Sequence, residues 1–163
     1  EKLVENATLE SEQLELNKEE IDLNFLLERW TTIDDELSKG KEIKYSSSIN
    51  TCLVNIDSFH FENAINNIID NAIKYGGNLI TVSISNSNSF INISIRDNGN
   101  NLSKQQASKI FDKFYRVPKG NTHNIKGFGI GLFYTKNIIK KHGGTINVLV
   151  NNGVEFLIKL PNN

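Results

Sequence analysis

Asn67-Ile68-Ile69-Asp70-Asn71-Ala72-Ile73-Lys74-Tyr75 is the stretch from which the rest of the chain can be read. Asn67, Asn71 and Lys74 fall at i, i+4 and i+7, so a helix lines them up as one polar stripe. Phe61, Ala64, Ile65, Ile68, Ile69, Ala72 and Ile73 recur at helical spacing and supply a buried face. Two amides and a lysine on one ridge suit a hard cation and the phosphates it bridges. Taken alone, the stripe fits a solvated helix face equally well.

Outward from this helix, Gly76-Gly77 ends the pattern and two alternating runs follow. Ile80-Val82-Ile84 and Ile91-Ile93-Ile95, separated by Asn86-Ser87-Asn88-Ser89, predict an antiparallel hairpin. A short helix is expected near 103–111 and a longer one near 131–142. Ile146-Val148-Val150 and Phe156-Ile158-Leu160, around Asn151-Asn152-Gly153, predict a second hairpin. Upstream, Asp22 stands where a helix N-cap would be, before Leu26, Trp30, Ile33 and Leu37 at helical spacing, with Gly40 as a stop. An extended piece is expected at Leu14-Glu15-Leu16, and strands near 42–48 and 52–56. The reading is an α+β fold, a two-layer sandwich of a mixed, mostly antiparallel sheet covered on one face by helices.

A second centre of chemistry lies between the last two helices. Lys119-Gly120-Asn121-Thr122-His123-Asn124-Ile125-Lys126 is polar and aperiodic, and Gly127-Phe128-Gly129-Ile130-Gly131-Leu132 leads into a helix. Glycines there let backbone approach a ligand, and helix N-terminal amides attract phosphate. Alone, the triplet reads as a flexible connection, and Asp97-Asn98-Gly99 as plain turn chemistry. In this order, the three pieces together describe a site for Mg²⁺ and a nucleotide.

Composition excludes several classes. The 163 residues carry a net charge of −1, which leaves no basic footprint for nucleic acid. Cys52 is the only cysteine, so no internal disulfide is available, and a reducing compartment suits it. No apolar run approaches the roughly 20 residues that cross a bilayer. The chain opens on Glu1-Lys2-Leu3 without a methionine, which reads as a piece of something longer.

On these motifs the chain resembles the catalytic and ATP-binding domain of sensor histidine kinases, within the Bergerat-type superfamily shared with gyrase B, the heat-shock chaperone and the mismatch-repair ATPases. Asn67 to Tyr75 matches the N box and Asp97-Asn98-Gly99 the start of the first glycine box. Ile110-Phe111-Asp112-Lys113-Phe114-Tyr115-Arg116 matches the F box, and Gly127 to Leu132 the second glycine box. The likeness runs from about residue 13 to Pro161, with residues 1–12 as the end of an upstream dimerisation and phosphoacceptor helix.

The resemblance implies ATP and Mg²⁺ as ligands and assigns roles. Asn71 would coordinate Mg²⁺, with Asn67 holding metal and triphosphate; Lys74 and Tyr75 would face the phosphate and ribose side. Asp97, beside Gly99 and Asn101, would accept from the adenine amino group. Residues 119–129 would form a lid over Phe111 and Phe114, with Arg116, Lys119, His123 and Lys126 as phosphate contacts. Gly127, Gly129, Ile130, Gly131 and Leu132 would present amides to the triphosphate. Asn67 stands where hydrolysing members resemble a glutamate; an amide cannot act as a base, so transfer to histidine is implied, with little hydrolysis.

The acceptor histidine would lie upstream, since His60, His123 and His142 have local explanations. Implied partners are that upstream domain and a response-regulator receiver domain. The piece itself would be a cytoplasmic monomer, its parent a membrane-anchored homodimer. Two departures stand out: Asn101 replaces the second glycine of the first glycine box, and Val154 follows Gly153 where a threonine is usual. Both predict weaker ATP affinity. They are the grounds for the alternative, a pseudokinase-like nucleotide-binding or docking module with weakened ATP affinity; a serine kinase or ATPase is disfavoured by Asn67.

Overall fold

A computed structural model describes residues 14–32, 35–100, 102–112 and 131–162. Expectations for residues 1–12, Ile33, Asn101, Phe114 and the stretch 113–130 lie outside the described residues. In chain order the elements are β1 (Glu19–Asp22), α1 (Leu23–Glu28), a 3₁₀ turn (Arg29–Thr32), α2 (Asp35–Ser38), β2 (Glu42–Ser47) and β3 (Leu53–Ile56). There follow α3 (Ser58–Tyr75), β4 (Leu79–Ser87), β5 (Phe90–Asp97), α4 (Lys104–Ala107), α5 (Gly131–Lys141), β6 (Thr145–Val150) and β7 (Val154–Pro161).

The main sheet has the order β2-β4-β5-β7-β6, and only β2 and β4 run parallel. Both expected hairpins form. Ile80, Val82 and Ile84 face the same side as their partners in β5, paired in the register Val82 to Ile95 and Ile84 to Ile93. The period-2 pattern sends all of them into the core, with Ile93 and Ile158 fully buried. Asn88 makes the first turn with φ +48°, a left-handed conformation that asparagine tolerates. β1 and β3 form a separate antiparallel pair.

Three expectations need correction. No strand forms at Leu14-Glu15-Leu16; it lies at Glu19–Asp22, where pairing with Leu53–Ile56 overrides an acid-rich sequence. The helix capped by Asp22 does begin there, the carboxylate accepting from Asn24 N at 3.1 Å, but it stops at Glu28. The hydroxyls of Thr31 and Thr32 turn back onto Glu28 O and Arg29 O, each at 2.8 Å, and offer the backbone an alternative to continuing α-helix. Leu37 consequently sits on a separate turn, 65% exposed, whereas Trp30 still packs on the core. The helix near 103–111 is one turn, with a Ser103–Gln106 capping box, and continues only as turns.

α3 carries the core. Its seven apolar residues of the expected stripe are all buried, and they pack against the sheet isoleucines. Its N-terminus is secured twice. Asp57 caps it, accepting from His60 N at 3.1 Å, and the Asp57 N–H donates to Nε2 of buried His142 at 3.0 Å. The other ring nitrogen of His142 donates to Ile138 O at 2.8 Å, so the imidazole is held neutral with one nitrogen accepting. Burial, above all, lowers the His142 pKa from its ordinary 6.5; nearby Lys18 and His60 act in the same direction, against the Ile138 carbonyl and Asp57.

The consequence for pH has a definite sign. A histidine whose folded pKa is depressed contributes stability above its unfolded pKa, and this is lost as pH falls below about 6.5. The urea midpoint of the domain should therefore drop between pH 7.5 and 5.5. Replacing His142 by Gln, which does not titrate, should flatten most of that slope; an unchanged slope would refute this assignment.

Candidate functional site

The polar stripe of α3 meets the start of α5. Asn67 Nδ2 donates to Gly131 O at 3.1 Å and approaches Thr135 Oγ1 at 3.4 Å. Thr135 is fully buried and donates to Ala64 O at 2.9 Å, which ties the two helices one turn before Asn67. The N-box helix and the end of the second glycine box are thus in direct contact. Because the Asn67 amide donates through its nitrogen, its Oδ1 is the end left to accept. Lys74, on the same stripe, is exposed and paired with Asp70 Oδ2 at 2.9 Å, an i, i+4 pair whose hydrogen bond raises the ammonium pKa. Asn71 and Tyr75 are half-buried on that helix.

The second half of the site lies where α3 ends. Asp97 is 6% exposed, and its Oδ1 accepts from Gly99 N at 2.7 Å and Gly77 N at 3.2 Å. Two amides on one oxygen lock the carboxylate orientation, while Oδ2 receives no donor among the described residues. Asn98 completes the link, accepting from Leu79 N at 3.1 Å through Oδ1. The approach is so close that a Cβ on Gly77 would stand 2.1 Å from Asn98 Oδ1 and 2.6 Å from Gly99 N. Only glycine fits there.

The β6–β7 turn forms a further wall. Arg96 Nη2 donates to Asn151 O at 2.8 Å and Asn152 O at 2.9 Å, drawing the turn against the end of β5. Val154 pairs with Asp97 across the strands and is 4% exposed. Leu132 is buried at the start of α5. Phe111 lies half-buried, edge-on to Phe156 at 6.0 Å. Arg116, Lys119, His123, Lys126, Gly127, Gly129 and Ile130 lie outside the described residues, as do Asn101 and Phe114.

Reading the sequence did not single out Thr135, Arg96 or the glycine pair Gly76-Gly77 as site residues. Thr135 carried a signal, being a polar side chain four residues after Gly131 on the apolar face of its helix. Arg96 carried none, since its target carbonyls are some 55 residues away. His60 and His142 both have partners within the fold: His60 Nδ1 meets Tyr134 Oη, far along the chain, at 2.8 Å, and His142 holds Ile138 O and Asp57 N.

The donor set fits the ligands that the fold implies. Among the described residues no group of three or more His, Cys, Asp or Glu side chains converges. Amide oxygens of Asn67 and Asn71 are hard donors of the kind Mg²⁺ accepts beside water and phosphate oxygens. A buried carboxylate with one oxygen fixed and one open suits a single N–H donor of a flat ring.

Residues 56–163 match the family model described as histidine kinase-, DNA gyrase B-, and HSP90-like ATPase. The chain belongs to that family. Among curated relatives of this ATPase-family domain, the sensor protein RprX of Bacteroides fragilis is 36% identical over 170 residues, covering 99% of this chain and 33% of RprX. The chain therefore spans about a third of the length of that relative. Full-length ShkA in complex with AMPPNP superposes with a TM-score of 0.80 at 21% identity, over 98% of this chain and 35% of that one. ThkA in complex with the response regulator TrrA superposes at 0.79 and 22% identity, over 99% and 47%. At such identities the superpositions establish a shared fold, and the α+β sandwich is that of the family. Among the described residues no helix is long and apolar enough to cross a membrane.

Proposed function

We propose that this chain is the ATP-binding catalytic domain of a sensor histidine kinase. It would bind Mg-ATP and transfer the γ-phosphoryl to a histidine on an upstream dimerisation domain, from which a response-regulator aspartate takes it. The observation that carries the reading is a pair of junctions along α3: Asn67, at mid-helix, against Gly131, and, past the C-terminal end, Gly77 with Gly99 on Asp97 Oδ1. A nucleotide laid along this helix would meet a carboxylate at its base and amides at its phosphates. Its relatives support the assignment, since RprX is a sensor protein and ShkA was captured with an ATP analogue. ThkA with TrrA supports a receiver domain as the partner.

Asp97 Oδ2 would accept from the adenine amino group, which guanine lacks at that position. Bound Mg²⁺, held by Asn71 and Asn67, would supply charge neutralisation of the triphosphate. Lys74, released from Asp70, adds a positive charge on the same stripe. Asn67 keeps no proton-accepting function, so the chain's contribution is positioning, as is general for phosphoryl transfer. The attacking group is the acceptor imidazole nitrogen; it forms the N–P bond as the bond to the ADP oxygen breaks. The phosphate contacts proposed for Arg116, Lys119, His123 and Lys126, and the amides of Gly127, Gly129 and Ile130, belong to the same reading. So does residues 1–12 being the end of the acceptor domain's helix.

Calorimetric titration with a non-hydrolysable ATP analogue tests it. Saturable binding that weakens at least tenfold when Mg²⁺ is chelated is expected, a loss of about 1.4 kcal/mol. Asn71→Ala should bind with the same weak affinity whether or not Mg²⁺ is present. Absence of binding by the folded domain would instead favour a docking module, a reading to which the buried, hydroxyl-free Val154 beside Asp97 already points.

A further inference from the structure

The C-terminus of α3 ends against a carboxylate, and electrostatics alone disfavour that contact. The last turn of a helix presents unpaired carbonyls and about half a negative charge. Asp97 lies so close that a Cβ on Gly76 would stand 2.8 Å from its Oδ2. Gly77 and Gly99 amides neutralise part of the carboxylate through Oδ1, but they leave the helix end itself unanswered.

Lys41 answers it. Its ammonium donates to Gly76 O at 2.9 Å and to Ala72 O at 3.2 Å. Ala72 O already accepts from Gly76 N at 2.9 Å, so the lysine ties the final turn and its cap into one unit. The stem is fixed in turn, with Lys41 N donating to Ser38 O at 3.1 Å and Glu42 N to Asn78 O at 2.9 Å. The parallel pairing of β2 with β4, from Glu42 opposite Leu79, continues the same seam. One side chain from the α2–β2 loop therefore reaches the step on which Asp97 rests.

We propose that Lys41 is a positioning residue of the nucleotide-base pocket. By holding the Gly76-Gly77 step it fixes the Gly77 amide on Asp97 Oδ1, and so aims Oδ2 at the base. The inference rests on the reading of an ATP site given above. Lys41 acts on the base through the helix end that its ammonium holds.

The test compares the affinities of ATP and inosine triphosphate, whose ring carries a carbonyl where adenine carries its amino group. Wild type should prefer ATP by roughly tenfold or more, the worth of one hydrogen bond to a charged acceptor. Lys41→Met should reduce that ratio at least about fivefold, and Lys41→Arg, which keeps a donor and the charge, should restore most of it. A role in stability alone would lower the folded fraction and weaken both nucleotides equally. An unchanged ratio in folded Lys41→Met therefore overturns the proposal. Should that variant fail to fold, Lys41→Gln carries the same expectation and the same refutation. If wild type binds neither nucleotide, or binds both alike, the ATP-site reading fails and takes this one with it; if wild type discriminates and the variants do too, only the role of Lys41 falls.

Discussion

Asp97→Asn will lower ATP affinity by about a hundredfold while leaving the fold unchanged. The substitution keeps an oxygen in place, so Gly77 and Gly99 retain an acceptor and the turn survives. What changes is the other branch of the side chain. Where Oδ2 would accept from an amino group, the amide presents two N–H donors, and donor faces donor in a site that is 6% exposed. A hydrogen bond to a charged group contributes about 1.5–3 kcal/mol, and a buried polar group left unpaired adds a comparable penalty. Together these correspond to at least the expected hundredfold, measured by calorimetry, with a thermal midpoint within a few degrees of wild type. Tight ATP binding in the variant would place the base elsewhere.

The position of Asp97 was legible because its constraints are local. A strand of alternating isoleucines ends in Asp-Asn-Gly, and turn chemistry places the carboxylate at the strand end. The N-box helix was legible for a similar reason: seven apolar residues at helical spacing leave one polar stripe, and the structure buries all seven. Both hairpins followed from period-2 alternation broken by asparagine-rich turns.

The features that escaped the sequence depend on partners far along the chain. Glu19–Asp22 has no strand pattern, and becomes one only because Leu53–Ile56 lies alongside. The break after Glu28 lies in a run whose apolar spacing still looks helical, since the competing bonds come from threonine hydroxyls rather than from any apolar residue. The parallel pairing of β2 with β4 leaves no trace in either strand. Lys41 and Arg96 carry no signal in the sequence, yet each closes a seam of the candidate site by meeting backbone carbonyls. A carbonyl is present at every residue, so no residue type marks the target.

Phe61→Ala should be the most destabilising single change at this end of the molecule. The ring is fully buried in the first turn of α3 and stands edge-on to the His142 imidazole, 5.4 Å between centroids. Around it the helix N-terminus is closed by Asp57, whose own pKa is lowered although burial opposes this, because the amides of Asn17 and His60 donate to it. Truncating the ring removes apolar contact and leaves a cavity that neighbours held by these hydrogen bonds cannot fill. Such deletions cost about 3–5 kcal/mol, which for a domain of this size lowers the midpoint by roughly 6–20 °C. Phe59, two residues earlier and 67% exposed, provides the control: its truncation should cost under about 0.5 kcal/mol. Asn67 and Asn71 lie beyond the cavity on the same helix, so ATP affinity at low temperature, where the variant remains folded, should change little. A loss of binding that exceeds the loss of folded protein would mean that the N-terminus of α3 sets the geometry of the site as well as its stability.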